Sequence, residues 1–167
     1  MSKPHIHHNA VAVGMMLWFG LWGCSTPPNP PQIAGPVYMF SQTIPQEIKD
    51  KMSVQEVAWS NGDVETFMSA AYAPNDSLLF IGSKGLTLGF QEVLSHYRKS
   101  YPTGNAMGEL TFENMLWKPL GREHGLLVGS WHLNRGEGLE NLGGHYSLIW
   151  QFNEADGEWQ IVADHSS

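Results

Sequence analysis

His132, Tyr146 and His165 are the residues of this chain best suited to move a proton. An imidazole titrates near neutral pH and a phenol is a good hydrogen-bond donor, so the three could bind a polar group or act as acid and base. Whether they meet depends on strand register. Asp156-Gly157 is a hairpin signal, and pairing Phe152 with Trp159 across it fixes the alternation of both strands. One face then carries Phe152, Trp150, Leu148 and Tyr146 beside Trp159, Ile161, Ala163 and His165. The other carries Gln151, Ile149, Ser147 and His145 beside Gln160, Val162, Asp164 and Ser166. The first set is mostly apolar and is expected to face the core. Pairing Leu133 with His145 would place His132 opposite Tyr146, lining up the three groups on adjacent strands. The competing reading is structural, with His132 and Tyr146 as satisfied polar groups at the sheet edge and His165 finishing the last strand.

Asp164 is the best carboxylate for a general base, yet this register puts it on the outer face beside Ser147, where it would support strand pairing or a subunit contact. The expected pocket lining is therefore Trp59, Tyr72, Tyr97, His132, Tyr146, Leu148 and His165. Other chemistries find no support. There is no His-Glu-x-x-His, phosphate-binding glycine loop or Gly-x-Ser-x-Gly elbow. His96, His124, His132, His145 and His165 lack close ligand spacing, so neither a metal nor a cofactor is expected. The formal net charge of −7 argues against nucleic acid or an anionic lipid surface as partner, because both demand basic patches.

The elements that must position these residues can be read in order. Thr43 and Gln46 fit a capping box, and Ile48, Met52, Gln55 and Trp59 recur at helical spacing after it. Asn61-Gly62 ends that helix. Asp63 caps a second, whose apolar stripe is Val64, Phe67, Met68, Ala71 and Tyr72. Short extended pieces follow at 78–81 and 86–88, then a third helix over 90–101 that Pro102 ends. Residues 110–118, 125–133, 145–152 and 158–165 are strand-length runs rich in aromatic and aliphatic side chains. Helices first and a long meander afterwards predict an α+β fold, with the helices on one face of a curved sheet.

The N-terminal part carries a different message. Cys24 is the sole cysteine, and it closes an apolar segment running from Ala10 to Trp22 that is too short to span a membrane. Leu21-Trp22-Gly23-Cys24 resembles the lipobox of bacterial lipoproteins. The resemblance implies removal of residues 1–23, acylation of Cys24 and anchoring through the lipid alone. Ser25 after the cysteine resembles a signal for the outer membrane, facing the periplasm. An ordinary secreted protein or an uncleaved anchor is the alternative. Cleavage would leave 144 residues, enough for one domain, and with Lys3 gone the net charge becomes −8. Residues 24–42 hold Pro27, Pro28, Pro30, Pro31 and Pro36 and read as a semi-rigid tether. The folded domain is 43–167.

Several motifs resemble the nuclear transport factor 2-like superfamily, in its SnoaL-like and ketosteroid-isomerase-like branch. They are Ala58-Trp59-Ser60-Asn61-Gly62-Asp63 with Phe67 and Tyr72, then Gly89, Gly129-Ser130-Trp131, and Trp159-Gln160-Ile161-Val162 running into Asp164-His165-Ser166-Ser167. The tail also resembles the association domain of calmodulin-dependent kinase II, although Ser166 stands where an arginine is expected. The resemblance implies a cone-shaped, curved antiparallel or mixed sheet with three helices of the N-terminal half on its concave face, and a homodimer. For that dimer the outer face with Ile149 and Val162 is the candidate surface. Two functions stay open. One is a non-catalytic module that binds a hydrophobic small molecule or assembles proteins; the other is an isomerase, cyclase or dehydratase acting on a hydrophobic ring compound.

Overall fold

The computed structural model describes residues 43–167; the lipobox and the tether lie outside the described residues. Helix α1 spans Gln46–Ser60 and buries Ile48, Met52, Gln55, Ala58 and Trp59, the face expected from their spacing. Its start differs from expectation. Pro45 holds the N-cap position with an extended ψ of 138°, which leaves Thr43 outside the first turn, and no side chain caps the helix. Glu47 instead accepts the backbone N–H of Trp159 at 2.9 Å, tying α1 to the sheet.

Helix α2 spans Val64–Ala71. Asp63 caps it, accepting the Thr66 backbone N–H at 2.9 Å and the Thr66 hydroxyl at 2.6 Å. Strands β1 (Leu79–Gly82) and β2 (Gly85–Leu88) form a hairpin, followed by α3 (Phe90–Ser100). A single further turn, α4 (Gly104–Met107), was not expected from sequence. Thr103 caps it through the Ala106 N–H. Four long strands complete the chain, namely β3 (Glu109–Pro119), β4 (His124–Asn134), β5 (Leu142–Asn153) and β6 (Glu158–Ser166).

The six strands form one open, curved sheet in the order β2-β1-β6-β5-β4-β3. Every neighbouring pair is antiparallel except β1 with β6, so the sheet is mixed and the fold is α+β. Helices α1–α3 contribute apolar side chains to a common core with the inner sheet residues Leu127, Leu148, Trp150 and Ile161. Gln55, fully buried in that core, donates its amide to the Phe67 carbonyl at 3.0 Å and so joins α1 to α2.

Two registers depart from the sequence reading. Between β5 and β6 the pairing runs as expected from Phe152/Trp159 to Trp150/Ile161 and then shifts at a bulge, so that Ile149 faces Ala163 and Leu148 faces Asp164. The extra residue is Val162. A one-residue slip sends every later side chain to the opposite face, since the strand period is two. Between β4 and β5, Leu133 pairs with Leu142 rather than with His145, and Tyr146 lies opposite Gly129 rather than His132.

Candidate functional site

The helices and the inner sheet face enclose a cavity of about 720 Å³, within the range of small-molecule sites. Aromatic side chains dominate its wall. Trp59 and Phe67 come from the first two helices, Tyr97 from α3, Phe80 from β1, Phe112 from β3 and Tyr146 from β5. Their rings meet largely edge to face: Trp59 lies 4.9 Å from Phe67 and 5.5 Å from Tyr97, and Tyr97 lies 5.7 Å from Phe80. Edge-to-face contacts hold such rings in fixed orientations, so the wall is preorganised. The Trp59 indole N–H is further pinned by the Met107 carbonyl at 3.0 Å.

Asp164 lines this cavity and is 2 % exposed. The Tyr72 hydroxyl donates to its Oδ2 at 2.6 Å, and the Ser166 hydroxyl to its Oδ1 at 2.6 Å. Burial pushes its carboxyl up from 3.8 to about 6, against the opposing pull of those two donors and of the nearby His165. Burial and the charge of Asp164 hold the Tyr72 and Tyr97 phenols well above their usual range. Tyr146 is likewise raised, by burial first and then by Glu56, Asp164 and Glu113, and its hydroxyl donates to Asn114 at 2.6 Å.

The expected triad does not form. Tyr146 lies inside, but His132 and His165 are exposed and line no part of the cavity. The bulge at Val162 exchanges His165 for Asp164: the histidine moves to the outer face opposite Ser147, and the carboxylate takes the inner position beside Leu148. His132, paired with Gly143, falls on the outer face as well. Trp59, Tyr72, Tyr97, Tyr146 and Leu148 line the cavity. Sequence reasoning left out Phe80, Phe112 and Trp131 as lining residues, and the cations Lys84, Lys99 and Arg135. The Trp131 indole N–H is buried and has no hydrogen-bond partner among the described residues, and the Gly129-Ser130-Trp131 motif was the one signal pointing to it. Among the described residues no group of acids, histidines or cysteines has the geometry to hold a metal.

Comparison with known proteins places this geometry in a family. Over 72 % of this chain and 96 % of its own, a nuclear transport factor 2-like protein of unknown function from Shewanella oneidensis MR-1 is 31 % identical, with a TM-score of 0.66. The chain belongs to the nuclear transport factor 2-like family. Two more distant structures share the fold. A superfamily member from Salmonella enterica serovar Typhimurium LT2 is 19 % identical, covering 73 % of this chain and 88 % of that one with a TM-score of 0.57. A ketosteroid isomerase-like protein from Erwinia carotovora atroseptica is 13 % identical, covering 72 % and 92 %, with a TM-score of 0.56. Neither a scan against protein-family models nor a search of curated proteins gives a match.

Proposed function

We propose that this domain binds a hydrophobic small molecule in the aromatic cavity, as a non-catalytic module of a lipid-anchored protein at the bacterial envelope. The observation that carries the reading is the 720 Å³ aromatic-walled cavity with a single buried carboxylate, Asp164, among its lining residues. Apolar walls supply affinity and a few fixed polar groups supply orientation, which is the usual division of labour in a small-molecule site. The membrane anchor rests on the lipobox-like Cys24.

A second reading is acid–base catalysis on a ring compound, of the isomerase, cyclase or dehydratase kind. It is favoured by one specific feature. A carboxylate titrating near 6 beside phenols is poised to take and return a proton at neutral pH.

The binding reading is tested by titrating the full chain with N-phenyl-1-naphthylamine, a neutral apolar fluorophore. A saturable fluorescence rise is expected, and Ser100→Trp, which adds an indole at an exposed lining position, should abolish it. Ser83→Trp on the β1–β2 turn is the second blocking variant. Binding that survives both substitutions would place the probe elsewhere and sink the proposal.

A further inference from the structure

The charged residues at the cavity are distributed against the character of the chain. The protein has sixteen Asp and Glu against nine Lys and Arg, yet the cavity is lined by one carboxylate side chain, Asp164, and by three cationic ones, Lys84, Lys99 and Arg135, with the His96 imidazole also in the lining. Each of the three cations comes from a different element. Lys84 sits on the turn between β1 and β2, Lys99 at the C-terminal end of α3, and Arg135 directly after β4. None of the three is in an ion pair among the described residues, whereas Arg98, next to Lys99, spends its charge on Glu65. Arg135 is also held in place: its Nε donates to the Glu140 carbonyl at 2.7 Å, and its backbone N–H donates to Asn141 at 2.9 Å.

We infer that the cavity takes an amphipathic anion, with the apolar body among the aromatic rings and a carboxylate or sulfonate head at the Lys84/Lys99/Arg135 rim. This rests on the binding reading above and names the ligand class for it. The two signs of charge also fix the direction of entry. Asp164, buried within the cavity lining, repels an anion, while Lys84 and Lys99 are exposed and attract one, so the head stays outside and the tail goes in. An additional donor is at hand on β4, the strand that Arg135 follows. The Trp131 indole N–H lies buried without a partner, and an unsatisfied donor of that kind gains by meeting an acceptor.

A matched pair of probes separates the head group from the body. 1-Anilinonaphthalene-8-sulfonate is N-phenyl-1-naphthylamine with one sulfonate added. With the full chain at pH 7.5 and low salt, the sulfonate is expected to bind about tenfold more tightly than the neutral probe. That preference should fall to about twofold or less in the triple variant Lys84→Gln/Lys99→Gln/Arg135→Gln, with the affinity for the neutral probe unchanged. Raising NaCl to about 0.5 M should weaken the sulfonate alone, because the rim charges are exposed to screening. Equal affinity of the unmodified chain for both probes, or a preference that persists in the triple variant, overturns the anion inference and leaves the pocket standing. Loss of neutral-probe binding altogether, or binding of either probe that survives Ser100→Trp and Ser83→Trp, removes the pocket itself. Circular dichroism of each variant verifies that the fold is retained.

Discussion

Tyr72, at the C-cap of α2, donates a 2.6 Å hydrogen bond to Asp164 on β6, a residue 92 positions further along the chain. Both partners are buried. The bond gives a carboxylate that burial disfavours one of its two donors, and it fastens the helical half of the domain to the inner end of the last strand. The contact orients the carboxylate and, with the Ser166 hydroxyl, partly offsets the upward push that burial gives its titration.

Asp164 makes the fold sensitive to pH in a defined window. Its carboxyl titrates at about 6 in the folded chain against an ordinary 3.8, so the folded state holds the proton more tightly. The associated stability is complete below about pH 4 and is lost as pH rises through 6. Asp164→Asn keeps the size and an acceptor for Tyr72 but has no charge to desolvate. Its urea midpoint should therefore lack the decline between pH 4 and 6, with a gain at pH 7.5 on the order of 3 kcal/mol at most. An identical pH slope in the two proteins would show that Asp164 does not titrate there.

Gly129 is required by the closeness of its neighbours. A Cβ at that position would collide with the Tyr146 ring and hydroxyl and with the Glu113 carbonyl. Gly129→Ala should cost about 1–3 kcal/mol in chemical denaturation by forcing Tyr146 away from Asn114. Binding of N-phenyl-1-naphthylamine should weaken with it, since Tyr146 is part of the cavity wall. Unchanged stability would mean that the sheet yields at no cost.

The outer sheet face is expected to pair with a second copy of the chain. Ile149 and Val162 are half-buried there, and the bulge turns Val162 and Ala163 outward between the buried Ile161 and Asp164. Sedimentation at micromolar concentration should give a dimer, and Ile149→Lys should give a folded monomer. A monomer in the unmodified protein removes the claim.

Cys24 is expected to carry the membrane anchor. Intact-mass analysis of membrane-extracted protein should find residues 1–23 removed and acyl mass added. Cys24→Ala should block that maturation and shift the protein out of the membrane fraction. Unchanged partition in the variant would mean that acylation of Cys24 does not hold it there.

Element types and apolar faces were legible because helical and strand periodicities are local. The stripes of α1 and α2, the Asp63 cap and the turn ending in Asp156-Gly157 all follow from residues within a few positions of each other. Site membership was less legible because it hung on two registers. Nothing in Gln160-Ile161-Val162-Ala163 announces a bulge, and that bulge alone decides which of Asp164 and His165 faces inward. Gly143-Gly144 read as loop, yet both belong to β5 and lie across from His132 and Trp131. Their lack of side chains is what their surroundings demand: a Cβ on Gly143 would stand 2.9 Å from the His132 ring, and one on Gly144 would run into the Ser167 backbone carbonyl just past β6. A glycine pair marks a strand here because of what lies against it, which no local window contains.

The parallel pairing of β1 with β6 bears on how the domain comes to exist at all. Strands β3 to β6 pair with sequence neighbours and can zip up early, whereas β1 reaches β6, with Phe80 beside Asp164, only when the ends of the domain are brought together. Such distant closure is entropically expensive and comes late on the folding path. A partly folded chain can hold its helices and its meander, Asp164 included, and still have no closed cavity, because β1 with Phe80 has not yet docked on β6. Ligand capture is then a property of the finished fold alone, and any variant that loosens the β1–β6 pairing should go blind to its ligand before it loses its secondary structure.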